Sequence, residues 1–293
     1  MFEVLALPFM QRALIAGLMV AFLASYYGVF VVQRGLGFLG NGLAHAAFGG
    51  VALGLLLGRE PLMIAVPFTV AVSIAIIWVR QRTILASDTV IGVFFAVSMA
   101  AGIIFLSLKK NYSADAFSYL FGSILAITAT DLWVAGGVVV LALLAQPLWG
   151  RWAYATFDRE LALTDRVPVL FDEYLLSVLL AVTVVVAVKV VGIVLISAFL
   201  VIPAAAARMV VRRFATMTWL SILFGMASTA FGLWGSYLLD LPSGATIVLL
   251  QAAIFLACLL SVFAVNFARR TQQGEARQRS AAKARGKEDH PAG

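Results

Sequence analysis

The chain has 293 residues, of which 63% are hydrophobic and only 12% are charged. A soluble domain carries about 45–50% apolar and about 25% charged residues, so the composition excludes a protein whose surface is mostly in water. The formal net charge of +7 is concentrated after residue 268, where seven Lys/Arg and three Asp/Glu occur, which indicates a basic tail near anionic lipid and not a nucleic-acid-binding face.

Long uncharged stretches recur along the chain, and most of them could cross a bilayer as a helix. About 20 apolar residues cover the hydrocarbon core, which is about 30 Å thick, and the alternating pattern of a β-barrel is absent. The sequence therefore predicts an all-α, polytopic transmembrane bundle of about eight or nine spans. In chain order the stretches are 13–33, 35–58, 61–79, 89–108, 132–150, 174–188, 190–207, 214–239 and 241–268.

Two segments depart from this pattern. The stretch 190–207 follows its neighbour almost without a loop and contains Gly192 and Pro203, so we expect a short or broken helix there. The segment 117–127 is too short to span and too apolar for a free loop, and is predicted to be a half-helix or re-entrant segment. We divide the chain into a transmembrane domain, 1–268, and a disordered basic cytoplasmic tail, 269–293.

Lys and Arg in the short loops predict the orientation, because they accumulate on the cytoplasmic side. One set of alternate loops holds Arg34, Arg80, Arg82, Arg151, Arg159, Arg166, Arg208, Arg212 and Arg213, and the tail continues that set. The opposite loops hold Arg12, Arg59, Lys109, Lys110 and Lys189. A multi-pass protein of the cell membrane with an outer N-terminus and a cytoplasmic C-terminus is expected.

His45 stands out among the few polar groups in the spans. It lies in GNGLAHAAFGGVALG (40–54), and Asn41 is four residues earlier, hence on the same helix face. An imidazole nitrogen and an amide oxygen could hold a borderline divalent cation transiently. The alternative is a histidine hydrogen-bonded to a neighbouring helix, since ionisable residues at membrane depth usually face the bundle interior.

Other polar residues lie at helix boundaries. Ser87 or Asp88 is predicted to cap the fourth span, while Asp240, Pro242 and Ser243 are expected at the start of the last one, with a secondary possibility of a gate there. Arg208, Arg212 and Arg213 are topology determinants or a docking site for an acidic partner.

Known catalytic motifs are missing from the sequence. It has no P-loop, no metalloprotease histidine pair and no nucleophile elbow. Its single cysteine cannot form an internal disulfide.

Six motifs, in order, resemble the permease subunits of bacterial zinc and manganese ABC importers. They are GNGLAHAAFGGVALG, SDTVIGVFF, SYLFGSILAI, FDRELA (157–162), VGIVLISAFLVIPAAAAR and DLPSGATIVL, and the likeness covers about residues 5–268. The last two also resemble siderophore and cobalamin importer permeases, which implies the type II importer architecture.

The resemblance implies a mechanism in which this chain is no enzyme. Two permease copies pair around a path, two cytoplasmic ATPase subunits bind the ATP, and an extracytoplasmic metal-binding protein delivers the ion. No cofactor is permanently bound; the metal, with zinc favoured and manganese next, is the substrate. By position, the coupling segment for the ATPase is 207–219, and the FDRELA loop is a second candidate. The residues concerned are Ala207, Arg208, Met209, Arg212, Arg213, Phe214 and Trp219, with Phe157, Asp158 and Glu160 in the second candidate.

The sequence departs from the family pattern at Asn41, where the family commonly has Asp paired with the histidine four residues later. A neutral amide attracts a cation less strongly than a carboxylate. Two other functions stay open. One is a type II permease for a metal chelate such as a siderophore or corrinoid, which would need a wider path. The other is a membrane-embedded enzyme, for which the buried ionisable groups are few and scattered.

Overall fold

The computed structural model describes residues 8–109, 119–122 and 127–288, with side chains up to residue 267. Within these ranges the fold is a bundle of helices without strands. The helices are α1 (Pro8–Gln33), α2 (Gly37–Leu56), α3 (Pro61–Arg82), α4 (Ser87–Leu108), α5 (Ala129–Leu144), α6 (Trp149–Phe157), α7 (Arg159–Thr164), α8 (Val169–Val191), α9 (Ile196–Val210), α10 (Phe214–Leu239) and α11 (Ser243–Glu288).

The predicted transmembrane bundle is confirmed. Seven of the described helices are long and apolar enough to cross a membrane, and α5 and α6 form an eighth span if they are taken as one helix bent by 41°. α9 is apolar but only 15 residues long. At about 1.5 Å per residue it would be roughly 22 Å long, shorter than the hydrocarbon core.

α9 nevertheless runs from one end of the bundle to the other. Near its start, the amide of Ile193 donates to the carbonyl of Tyr119 over 3.1 Å. Near its end, Nη1 of Arg208 donates to the carbonyl of Val32 at the end of α1 over 3.0 Å. The predicted break in 190–207 therefore lies at residues 192–195, and Val190 and Val191 belong to α8.

Contacts between loops define the two ends. At the first, which we call the Arg34 end, Nε of Arg34 donates to Thr156 Oγ1 over 2.9 Å, and Gln81 Nε2 donates to Glu173 over 3.5 Å. At the second, the Lys189 end, Lys189 Nζ lies 2.7 Å from Asp131 Oδ1 and 3.8 Å from Glu60 Oε1. The loops predicted to be cytoplasmic from their arginines thus meet at the Arg34 end.

Small residues hold α2 at the centre of the fold. A Cβ added to Gly42 would lie 2.6 Å from Cγ2 of Ile91 on α4, and one added to Gly50 would lie 2.6 Å from Cα of Ala65 on α3. Glycines let membrane helices approach this closely, and van der Waals packing then stabilises the pair. The glycine-rich run 40–54 therefore builds the contacts of α2 with α3 and α4.

A second close junction lies at the Lys189 end. Gly122 and Gly192 have positive φ angles of 74° and 89°, a conformation that side chains with a Cβ rarely adopt. A Cβ on Gly122 would lie 2.7 Å from the carbonyl carbon of Val191, so the short piece 119–122 packs directly against the α8–α9 break. Most of the predicted half-helix 117–127 lies outside the described residues.

The last helix continues beyond its apolar part. α11 continues to Glu288, beyond its apolar part Ser243–Phe267, although disorder is predicted from residue 269. Ala, Arg, Lys, Gln and Glu are strong helix formers, and a helix already formed in the membrane supplies the costly nucleus for further turns. The domain boundary at residue 268 stays a prediction.

Candidate functional site

Asn41 and His45 lie one turn apart on α2 and are both half-buried, whereas most other residues of this helix are buried. The small residues of α2 face its neighbours. Gly40 meets α9, where an added Cβ would lie 3.0 Å from Cδ2 of Leu200. Asn41 and His45 thus mark the side of α2 that its neighbours leave partly open, and we call this side the α2 face.

The imidazole of His45 has one ring neighbour and one free nitrogen. Its ring meets Phe95 of α4 edge-on, with 4.4 Å between the centroids. Its Nδ1 is buried and has no hydrogen-bond partner. Within the described residues, Nδ1 of His45 thus makes no hydrogen bond to a neighbouring helix, and the role of His45 as a metal ligand stays a prediction. An unprotonated imidazole nitrogen without a partner is a suitable ligand for a borderline metal ion.

The α2 face is poor in ligands. In the described part of the chain, no three His, Cys, Asp or Glu side chains come together to hold a metal ion. Zinc sites usually have four ligands, so an ion held by His45 and Asn41 would need further ligands from another source.

The predicted coupling segment 207–219 lies at the Arg34 end, where α9 ends and α10 begins. Ala207 is buried and Met209 is half-buried, while Arg212 and Arg213 are exposed. The side chain of Trp219 is 69% exposed. The segment therefore presents two free arginines and an aromatic side chain beside the anchored Arg208.

Phe214 joins the two predicted coupling candidates. Its ring stacks on Trp149 with 5.3 Å between centroids and meets Phe157 edge-on at 5.4 Å. Beyond Phe157, Asp158 caps α7 by accepting from the amide of Leu161 over 2.9 Å. Glu160 is exposed in the first turn of α7, so the FDRELA loop and the 207–219 segment form one surface.

Ion pairs fix this surface to the bundle, and the sequence prediction missed them. Arg151 donates to both carboxylate oxygens of Asp172, which is fully buried. Arg159 lies 3.4 Å from Glu173. Burial lowers the pKa of the Arg34 guanidinium nearby; Glu173 opposes this effect and Arg80 adds to it. The sequence did contain a signal for these ion pairs. Asp172 and Glu173 lie near the start of an apolar helix, directly after a loop rich in arginine.

The predicted caps require corrections. Ala86, not Ser87 or Asp88, is the N-cap of α4, and no side chain caps it. The hydroxyl of Ser87 accepts from Nε of Arg80 over 3.0 Å instead. Asp88 is exposed in the first turn of α4, where its charge still favours the positive helix end.

At the Lys189 end, Asp240 ends α10 and does not begin α11. It is the C-cap of α10, in the left-handed conformation with φ 52°, which Asp tolerates better than most residues. The carbonyl of Pro242 accepts the first hydrogen bond of α11 from Thr246, and Ser243 is the first residue of that helix. Among the described residues, no hydrogen bond or ion pair joins Asp240, Pro242 or Ser243 to Asn41 or His45, and their role in a gate stays a prediction.

The cluster of Lys189, Asp131 and Glu60 was also missed by the sequence prediction. Asp131 and Thr128 form a reciprocal capping box at the start of α5, and Lys189 joins the end of α8 to it. Two features of the sequence indicated this cluster. Thr128 and Asp131 form a Thr-x-x-Asp pattern before an apolar run, and Lys189 is a single lysine between apolar residues.

Comparison with known proteins gives a consistent result. The model of the ABC 3 transport family matches residues 6–262. The manganese import system permease protein ScaB of Streptococcus gordonii is 37% identical over 85% of this chain and 89% of its own length. The high-affinity zinc uptake system membrane protein ZnuB of Haemophilus influenzae is 33% identical over 88% of this chain and 98% of its own. In the solved structure of PsaBC from Streptococcus pneumoniae in complex with Fab, a chain 35% identical superposes with a TM-score of 0.79, covering 88% of this chain and 93% of that one.

Proposed function

This chain belongs to the ABC 3 transport family, and we propose that it is the membrane permease of an importer that moves a divalent metal ion into the cytoplasm. Permeases named for manganese or zinc transport match almost its whole length. The observation that carries the proposal is the Nδ1 atom of His45, which has no hydrogen-bond partner and lies on the partly open α2 face. A bundle of apolar helices has few other groups that could meet a cation.

The Arg34 end is the cytoplasmic end in this proposal. Arg34, Arg80 and Arg208 make contacts there, and arginines of short loops stay on the cytoplasmic side. The coupling segment 207–219 and the FDRELA loop then face the cytoplasm, where the ATPase subunits bind. The Lys189 end faces an extracytoplasmic metal-binding protein.

The ion passes along the α2 face, between this chain and a second copy. His45 supplies an imidazole nitrogen and Asn41 an amide oxygen. Neither carries a fixed negative charge, so the ion is held weakly and released easily. Two such faces would together supply four ligands, the number that zinc prefers.

Zinc is the preferred cargo and manganese the second. An imidazole nitrogen binds Zn²⁺ more tightly than Mn²⁺ in the general order of divalent metals. The relatives include proteins named for each ion, so this preference depends on the ligand chemistry alone.

Growth under metal limitation tests the cargo. The permease, its ATPase and its binding protein are expressed together in a bacterium that lacks its own zinc and manganese importers. We expect the complex to restore zinc-limited growth at a lower external zinc concentration than the manganese concentration needed to restore manganese-limited growth. Rescue of manganese-limited growth alone would contradict the preference for zinc, and rescue of neither would contradict metal import.

A further inference from the structure

Two phenylalanine rings extend from His45 where α2 packs against α4. The ring of Phe95 on α4 meets the imidazole of His45 edge-on, with 4.4 Å between the centroids. The ring of Phe38 on α2 lies beside Phe95, with 6.0 Å between the centroids and 44° between the ring planes. The three rings form a continuous row, which we call the aromatic row.

The aromatic row runs from His45 towards the Arg34 end. α2 begins at Gly37, shortly after Arg34, so Phe38 lies in its first turn. Phe38 precedes His45 by seven positions, which corresponds to roughly 10 Å along the helix axis at about 1.5 Å per residue. Phe38 therefore lies on the side of His45 that faces the Arg34 end, which is the cytoplasmic end in the proposed function.

Phe38 belongs to the same side of α2 as the two polar residues. Positions 38, 41 and 45 are three and four residues apart, a spacing that brings side chains to one face of a helix. Phe38 is 39% exposed and Asn41 and His45 are half-buried, whereas the other residues from 39 to 52 are buried. An ion that leaves His45 along the α2 face towards the cytoplasm must therefore pass Phe38.

We propose that Phe38 and Phe95 form an aromatic gate on the cytoplasmic side of the ion, a role that rests on the proposed metal path along the α2 face. Phenyl rings offer a divalent ion no ligand in exchange for its water, and apolar constrictions close pores by excluding water. A second copy across the path adds the same two rings. The gate is closed while each Phe38 ring lies against its Phe95, and it opens when Phe38 turns away.

Phe95 links this gate to His45. Its edge-on contact restricts the orientation of the imidazole, and a metal ion at a ring nitrogen restricts the same orientation. Ion binding and the position of Phe95 thus depend on each other, as they do whenever a ligand prefers one of two conformations. Phe95 is a positioning residue for His45, and Phe38 is the barrier itself.

Contact of Phe38 with lipid alone is the alternative. Trp and Tyr are the aromatic residues enriched where the hydrocarbon meets the headgroups, so a phenylalanine in the first turn of a membrane helix is not a typical anchor. A phenylalanine that only faces lipid could be replaced by alanine without changing the access of water to Asn41. The two alternatives therefore differ in the access of water to residue 41, which can be measured.

Thiol labelling measures this access without any need for metal transport. Cys258→Ala removes the single native thiol, and Asn41→Cys places a new one on the His45 side of Phe38. The permease–ATPase complex, in inside-out vesicles without ATP, is treated with a membrane-impermeant maleimide, which reaches it from the cytoplasmic side. We expect slow labelling while both rings are present. Adding Phe38→Ala should raise the labelling rate roughly fivefold or more, because water can then enter the α2 face.

Two further variants are matched controls. Phe38→Leu keeps a bulky apolar side chain and should label as slowly as the parent with Phe38. Phe231→Ala removes an exposed ring from α10, outside the aromatic row, where the residue is 63% exposed, and should leave the labelling rate unchanged. Labelling is compared only among variants that bind the ATPase and elute from a sizing column like the parent.

The labelling rates can overturn the gate in three ways. Equal rates with and without Phe38→Ala in a folded complex would mean that Phe38 does not close the path. A rise seen only in right-side-out vesicles would place Phe38 on the outer side of the ion. Phe95→Ala should also raise the rate, since Phe38 then loses the ring against which it lies, and an unchanged rate would remove Phe95 from the gate. Labelling requires no metal, so the gate can fail while metal import stands, and a failure to import metal would leave these rates unaltered.

Discussion

In the proposed function, His45 is the side chain on which metal passage should depend most. We predict that His45→Ala lowers metal uptake by the assembled complex by roughly tenfold or more, because the loss of one of two ligands per copy weakens a marginal site. The buried Nδ1 has no hydrogen-bond partner to lose, so the variant should fold normally and still bind the ATPase subunits. Uptake into proteoliposomes, divided by the amount of complex, measures the effect.

The sequence offers a matched control in its other histidine, His290. His290→Ala should leave uptake unchanged, because this residue belongs to the predicted basic tail. Normal uptake by a correctly assembled His45→Ala complex would eliminate the path role of the α2 face.

Asn41 is the position at which this chain departs from its resemblance to zinc and manganese permeases. Asn41→Asp places a carboxylate one turn from His45, and we expect it to tighten binding of a divalent cation by roughly tenfold, about 1.4 kcal/mol. Equilibrium binding of zinc to the purified permease measures the change. Unchanged affinity would show that Asn41 does not face the ion.

Individual residues were predictable from sequence where their chemistry is unusual for their surroundings. His45 stands out in a run of Gly and Ala, and its role in metal passage stays a prediction. The Arg151–Asp172 pair was not predictable, because the two residues are 21 positions apart and their contact depends on how the short helices α6 and α7 fold back on α8. Phe214 was predicted as part of the coupling segment, but its contact with Phe157 requires the tertiary structure.

Hydropathy predicted that the helices exist more reliably than it predicted the residues at which they begin and end. The positions of α1 to α4 and α10 follow directly from uncharged runs of membrane-spanning length. The predicted break in 190–207 lies at residues 192–195, but α8 extends to Val191 and so ends later than predicted; only Gly192 indicates this turn in the sequence. Asp240 was assigned to the wrong helix because Asp is as suitable for a left-handed C-cap as for an N-terminal turn.

The segment between α9 and α10 is predicted to bind the ATPase through its exposed arginines. The double charge reversal Arg212→Glu and Arg213→Glu should weaken co-purification of the ATPase by at least fivefold at low salt, since attraction to acidic groups becomes repulsion. Quantitative pull-down from membranes measures it, and high salt should reduce the difference.

Reversing two charges at the opposite end controls for net charge. Arg59→Glu with Lys109→Glu makes the same change in formal charge near the Lys189 end and should leave ATPase binding intact. If only this control weakened the complex, the orientation proposed here would be inverted. If neither did, the FDRELA loop would be the main contact.

For the whole molecule, the proposed function predicts a pair of permeases with their Asn41 side chains directed to a shared path. In a Cys258→Ala background, Asn41→Cys should form a cross-linked dimer with a short bifunctional thiol reagent. Val140→Cys is the control, since this residue is 54% exposed on α5 and is predicted to face lipid. It should react with the reagent without forming a dimer. Equal cross-linking at both positions would contradict a shared path along α2.

The overall architecture was predictable because the bilayer permits few solutions: an apolar chain of this length must form a helical bundle. The pairing of two copies stays a prediction, because the open face of α2 is defined only after the other helices have packed. The helical continuation of α11 also depends on its anchored membrane part, which composition alone does not reveal.

Energised uptake of radioactive zinc and manganese tests metal import most directly. Proteoliposomes contain the permease with its ATPase, and the binding protein is added outside. Accumulation of either ion that requires ATP hydrolysis and is lost in His45→Ala is expected. An assembled complex that hydrolyses ATP but accumulates neither ion would contradict the proposal that this chain is a metal-ion permease.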